Sequence, residues 1–134
     1  MAVDRTRALR VALVVVGVVF LLLHPLMVVW PSGFAWQPRQ PEYEQMILGI
    51  YATLGVFLIW AARRPQAHWS LIWFTVWSSA VHGGIMAVQA VADPAERGHL
   101  PGDVAALLLV AVVLGVLAPR GAPAPPRPEA ARPG

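Results

Sequence analysis

The chain has 134 residues, 57% of them hydrophobic and 13% charged, with a net charge of +3. Counting its 11 glycines, about two-thirds of the chain is apolar, against about 45–50% in an ordinary soluble domain. That excludes a disordered chain, and a water-soluble core of this size would lack the polar residues to cover it. The absence of cysteine excludes disulfides, thiolate zinc sites, iron–sulfur clusters and cysteine nucleophiles. All ten basic residues are Arg. They are scattered along the chain, which excludes the clustered basic face of a nucleic-acid-binding protein.

Four apolar stretches follow in chain order, each near the ~20 residues that cross ~30 Å of hydrocarbon. After a short cytoplasmic segment over 1–7, the spans are predicted over 8–30, 44–62, 69–91 and 102–118. In lipid the backbone must satisfy itself within each segment, so these are predicted helices, and the alternation of a barrel strand is absent. The linkers carry breakers. Pro31-Ser32-Gly33 closes the first span, Pro38 and Pro41 precede the second, and Arg63-Arg64-Pro65 ends it. Asp93-Pro94-Ala95-Glu96 places a cap residue, a first-turn Pro and a Glu at the third position, which predicts one short helical turn. Leu100-Pro101-Gly102-Asp103 then starts the last span, with Asp103 near its positive end. The tail over 119–134, rich in Pro, Ala and Arg, is predicted to be disordered.

Orientation follows from Arg. Arg5, Arg7, Arg10, Arg63, Arg64, Arg120, Arg127 and Arg132 fall on one side, and Arg39 and Arg97 on the other. The excess places both termini in the cytoplasm. The predicted fold class is therefore all-α: an antiparallel four-helix transmembrane bundle, N-in and C-in, multi-pass in a bacterial cell membrane. Trp30, Phe34, Trp36 and Tyr43 fit an outer aromatic belt, Trp60 and Trp69 an inner one. Arg5, Arg7 and Arg10 before an apolar run also fit a signal peptide with a cleavage site near Gly33-Phe34-Ala35. The run is longer than the 7–15 residues of a signal core, which favours a retained span.

Ionisable groups inside spans are costly and point to function by default. At 1.5 Å rise per residue, His24 lies about 7 Å and His82 about 3 Å to the outer side of the midplane. Glu44, Gln89 and Asp103 fall about 10–14 Å outward, with His99 in the loop above. The polar groups thus converge on the outer half. On the third span Thr75, Ser78, His82, Met86 and Gln89 form one polar stripe at helical spacing. Beside it Ser79, Gly83 and Ala87 make a small-residue ridge for a neighbouring helix. The plainer reading of the stripe is a set of interhelical hydrogen bonds.

Three sharper readings compete for the histidines. His24 and His82 could be axial ligands of a b-type haem. His24 with Met27 and His82 with Met86, joined by Met46, could hold a soft metal such as copper. Glu44, His82, His99 and Asp103 could line an outward-facing pocket for proton-linked transport or a small lipophilic ligand. Against the last stands the simple role of acids at helix starts. A carboxylate in the first span, which small four-helix multidrug exporters use, is missing. Trp69, Trp73 and Trp77 form a row that fits belt and packing roles.

Phosphate-cradling, dinucleotide, GxSxG, HExxH and EF-hand patterns are all absent, and Ser78 with His82 lacks a third group to orient the ring. This leans against an enzyme. The leading expectation is a structural, regulatory or partner-binding membrane protein without catalysis, and the alternative is a membrane site for haem, metal or a small lipophilic ligand. The partner it implies is the lipid bilayer, with another membrane protein or a second copy of the chain as further candidates.

From Glu44 to Pro119 the chain resembles a family of small bacterial integral membrane proteins of unknown function. The residues that carry the resemblance are Met46-Ile47-Leu48-Gly49-Ile50-Tyr51, Ser70-Leu71-Ile72-Trp73-Phe74-Thr75, Trp77-Ser78-Ser79, His82, Met86-Ala87-Val88-Gln89-Ala90, Gly98-His99-Leu100 and Gly102-Asp103. The resemblance implies a four-helix membrane domain and supplies no reaction, ligand or catalytic residue.

Overall fold

The computed structural model describes residues 2–36, 38 and 40–121. The predicted tail therefore lies outside the described residues from 122 onward, as do Arg39, Arg127 and Arg132. The helices are α1 (Ala2–Leu21), α2 (Leu23–Val29), α3 (Pro31–Phe34), α4 (Pro41–Ala61), α5 (Trp69–Ala92) and α6 (Ala105–Leu117). Pro65–His68 and Pro94–His99 are 3-10 turns, and Leu100–Val104 is a π turn. No strand occurs among the described residues. Pro41–Ala61, Pro65–Ala92 and Pro94–Leu117 are long and apolar enough to cross a membrane, and α1 with α2 makes a fourth if the bent pair is one span.

That bend is where the structure departs from the predicted single span over 8–30. The helix starts earlier, at Ala2, and its axis turns by 57° at Leu22. Pro25 explains it: proline has no N–H to offer the carbonyl of Leu21, and its ring crowds that carbonyl. The Leu22 N–H is shared between the carbonyls of Val18 and Val19, both at 3.0 Å. The last predicted span likewise begins irregularly. Gly102 leaves helical geometry with ψ −116°, and regular helix resumes only at Ala105. The predicted cap at Asp93 is present, its carboxylate accepting from the Ala95 N–H at 2.9 Å.

Packing pairs α1 with α4, α5 with α6, and α1 with α6, while α4 and α5 stand apart along their length. Glycine sets the closest of these contacts. A Cβ at Gly17 would lie 2.7 Å from the Gly55 carbonyl oxygen, and one at Gly55 would lie 2.6 Å from that of Gly17. The two backbones therefore touch, as small residues permit between apolar helices. Ser79 and Gly83 of the small-residue ridge are buried, and a Cβ at Gly83 would come within 3.1 Å of Leu107. Leu9, Leu13, Val16, Phe20, Leu58, Ile72, Val76, Val110 and Leu114 fill the core.

The end where α1 begins is tied by polar contacts. The Arg5 guanidinium donates to the carbonyls of Val116 (2.6 Å) and Ala118 (3.0 Å), satisfying groups the end of α6 would leave bare. The Trp69 and Trp73 indoles both donate to the Pro119 carbonyl, at 3.0 and 3.1 Å. These three side chains thus do more than mark topology or an aromatic belt. The outer faces of the helices are apolar: Ile50 is 67%, Trp77 65% and Val88 71% exposed. Such a surface suits hydrocarbon and not water.

A candidate ligand cavity lined by acids, aromatics and histidine

At the opposite end, where α3 and the turns over Pro94–Val104 cap the helices, the core gives way to a cavity of about 420 Å³. Val19, Phe20, Leu23, Met27, Leu107 and Val110 give it a mostly apolar wall. Its polar lining comes from Trp36, Gln40, Tyr43, Glu44, Tyr51, His82, Gln89 and Asp103. The exposed members Pro38, Gln40, Tyr43, Ile47 and Gln89 mark a mouth between the segment leading into α4 and the end of α5.

The cap is held by backbone-to-backbone contact. A Cβ at Gly102 would overlap the Gly33 carbonyl oxygen and lie 2.7 Å from the Gly33 Cα, and one at Gly98 would overlap the Ser32 carbonyl. The turn after α2 therefore seats directly on the turn before α6. That seating brings Trp36 onto Asp103: the indole N–H donates to Oδ2 at 3.1 Å. His99 Nδ1 sits 3.0 Å from both Asp103 oxygens, and its Nε2 sits 3.2 Å from Glu96 Oε2. The Trp36 ring stacks on the His99 ring, centroids 4.2 Å apart and 29° from parallel. His99 is 1% and Glu96 6% exposed. A neutral imidazole has one N–H. The ring thus bridges two carboxylates, Asp103 at Nδ1 and Glu96 at Nε2, and the one it donates to depends on its tautomer.

Deeper in the cavity the Tyr51 hydroxyl and His82 Nδ1 share a hydrogen bond of 2.6 Å, linking α4 to α5. Phe20 packs edge-on against Tyr51, centroids 4.9 Å apart. This bond contrasts with the rest of the predicted polar stripe. Thr75 donates to its own helix at the Leu71 carbonyl (2.9 Å), and Ser78 to that of Thr75 (3.3 Å). The interhelical hydrogen bonds expected of those two hydroxyls are replaced by bonds within α5, because the carbonyl one turn back is always in reach. Gln89 is exposed at the mouth.

The structure thus sets Glu44, His82, Met86, Gln89 and Asp103 around one cavity together with Met27, and His99 directly behind Asp103. His24 does not join them. It is exposed on α2 and absent from the lining, so it does not face His82 across the space a haem would need. Met46 is exposed on α4 and lines a shallow groove between α4 and α5 instead. Among the described residues no three His, Asp or Glu side chains converge on a common metal position. Glu96, His99 and Asp103 are adjacent, but the two ring nitrogens look in opposite directions. Sequence reading missed Trp36, Tyr51 and Glu96 as members of the site. Tyr51 carried the clearest signal, because a phenol in the middle of an apolar helix must find a polar partner.

Fold and cavity together define an all-helical protein with spans apolar enough for a membrane and one end hollowed around acids, aromatics and a histidine. The chain belongs to a family of unknown function, DUF6632, whose model matches residues 4–130. The match takes in α1 as well as the stretch from Glu44 on which the sequence resemblance rests. No curated protein and no solved structure matches the chain.

Proposed function

We propose that this is an integral membrane protein that crosses the bilayer four times, the first span bent at Leu22, with both termini in the cytoplasm. Its role is to bind a small lipophilic ligand in the cavity of its outer half, without catalysis of its own. The observation that carries this reading is the cavity itself. Its volume of about 420 Å³ falls within the range of ~300–1,000 Å³ typical of small-molecule sites, and its lining is apolar with a few convergent polar groups. A purely structural bundle would gain by filling this space, since unfilled volume forfeits contacts. The exposed Tyr43 and Ile47 of α4 belong to its mouth, which supports entry of a ligand from the lipid phase.

The neutral fluorophore N-phenyl-1-naphthylamine, added to the protein in phosphatidylcholine nanodiscs, is expected to brighten saturably above empty nanodiscs. Ala106 lines the cavity, and Ala106→Trp is expected to abolish the saturable part while the helical circular dichroism stays unchanged. Equal brightening with wild type and Ala106→Trp would refute the cavity as the site. The topology has a separate check. A cytoplasm-dependent fluorescent reporter fused after Arg120 is expected to be active, and activity of a periplasm-dependent reporter there would overturn the four-span reading.

A further inference from the structure

We propose that the ligand of this cavity carries a carbonyl oxygen, which accepts a hydrogen bond from the Tyr51–His82 pair. This deepens the reading above and rests on it. Both residues line the cavity, and the Tyr51 hydroxyl oxygen stands 2.6 Å from His82 Nδ1. A phenol brings one hydrogen to such a pair and a neutral imidazole brings one more. Their mutual bond uses one of the two, whichever residue donates it. The other is left over, on His82 Nε2 when the phenol donates and on the Tyr51 oxygen when the ring does. A doubly protonated ring only adds to the surplus.

That hydrogen has no taker among the described residues. Neither Tyr51 nor His82 makes a second hydrogen bond there, and those of Asp103, which lines the same cavity, go to Trp36 and His99. No side-chain nitrogen or oxygen is sealed away without a partner among the described residues, so the second nitrogen of His82 is open to a visiting molecule. The surroundings are apolar. Phe20 packs edge-on against Tyr51, and the phenol also rests on the cluster of Met86, Val104 and Leu107. A donor left unanswered in such a place is costly. A carbonyl answers it without bringing a donor of its own, and it leaves the ligand uncharged and soluble in lipid.

Benzophenone and diphenylmethane share shape and size and differ in one group, a carbonyl against a methylene, so the pair isolates the claim. Each is titrated against bound N-phenyl-1-naphthylamine in phosphatidylcholine nanodiscs, its concentration in the lipid being fixed with empty nanodiscs. The ketone is expected to displace the fluorophore about tenfold more tightly than the hydrocarbon, the factor that ~1.4 kcal/mol produces. Tyr51→Phe combined with His82→Leu removes both hydrogens and is expected to bring the two displacement curves together while the fluorophore still binds. Either substitution alone leaves one hydrogen and is expected to keep part of the preference. The infrared carbonyl stretch of benzophenone bound to wild type is expected below its position in alkane, and this reading decides if the double variant no longer binds the fluorophore. A stretch at the alkane position overturns the assignment, as does a preference that survives undiminished in the double variant. If the fluorophore binds and the two compounds displace it equally, or the hydrocarbon wins, the carbonyl assignment falls and the cavity stands. If the fluorophore fails to bind wild type, the cavity reading and this one fall together.

Discussion

Asp103→Ala is expected to lower the stability of the protein by about 3–5 kcal/mol, the cost of removing one partner from a buried charged network. The carboxylate is the acceptor for the Trp36 indole and the partner of His99 Nδ1. Alanine would leave the imidazole facing Glu96 alone and the indole N–H without its acceptor, in a region where water is scarce. Asp103→Asn keeps one acceptor oxygen and is expected to recover a large part of the loss. The measurement is reversible unfolding in mixed micelles, followed by tryptophan fluorescence and, separately, by far-ultraviolet circular dichroism. Trp36 is held against His99 and Asp103, so the fluorescence of Asp103→Ala should also shift before any unfolding. Wild-type stability in Asp103→Ala would mean that the cap is held by its glycine contacts alone.

The second large effect concerns the close contact between α1 and α4. Gly17→Leu is expected to cost about 2–3 kcal/mol, toward the upper end of typical overpacking penalties. Even a Cβ would stand 2.7 Å from the Gly55 carbonyl oxygen and 2.6 Å from Ile59 Cγ1. The isoleucine tip can turn away, but the carbonyl belongs to the α4 backbone and cannot, so α1 and α4 must separate. Gly49→Ala and Gly84→Ala are the internal comparison. Neither position has an atom within 4 Å of an added Cβ, so both substitutions are expected to be neutral or to stabilise by up to about 1 kcal/mol through helix propensity. Thermal unfolding of the three variants in one detergent distinguishes steric loss at a contact from a general effect of removing glycine. Equal melting temperatures across all three would refute the close approach of α1 and α4.

These two predictions mark the boundary of what the sequence reveals. Height along a helix is legible, because residues rise at a fixed 1.5 Å. Counting along the spans therefore places Glu44, His82, Gln89 and Asp103 all in the outer half. Direction around a helix is not legible in spans this uniformly apolar, since the contrast that separates an inner from an outer face is missing. His24 shows the consequence: it has a suitable height and sits on an exposed face. The bend at Leu22 was readable in principle from Pro25, although a proline among so many apolar residues also fits an unbroken span. Contacts between distant residues escaped entirely. Trp36 reaches Asp103 across 67 positions, and nothing local to either residue announces the pairing. The Asp93 cap, by contrast, is a local device and was visible in four residues.

The pattern of helix contacts has a mechanical consequence. With α1 packed on α4 and on α6, α5 packed on α6, and α4 apart from α5, the helices make two leaves joined along α1 and α6 and, at the mouth end, by the seating of α3 on the turns over Pro94–Val104. A change in the width of the mouth therefore works against that cap, while the Gly17–Gly55 and Gly83–Leu107 contacts, each within a single leaf, stay undisturbed. The Tyr51–His82 hydrogen bond is a second tie between the leaves, reaching across the cavity from α4 to α5, and so acts with the cap as a clasp.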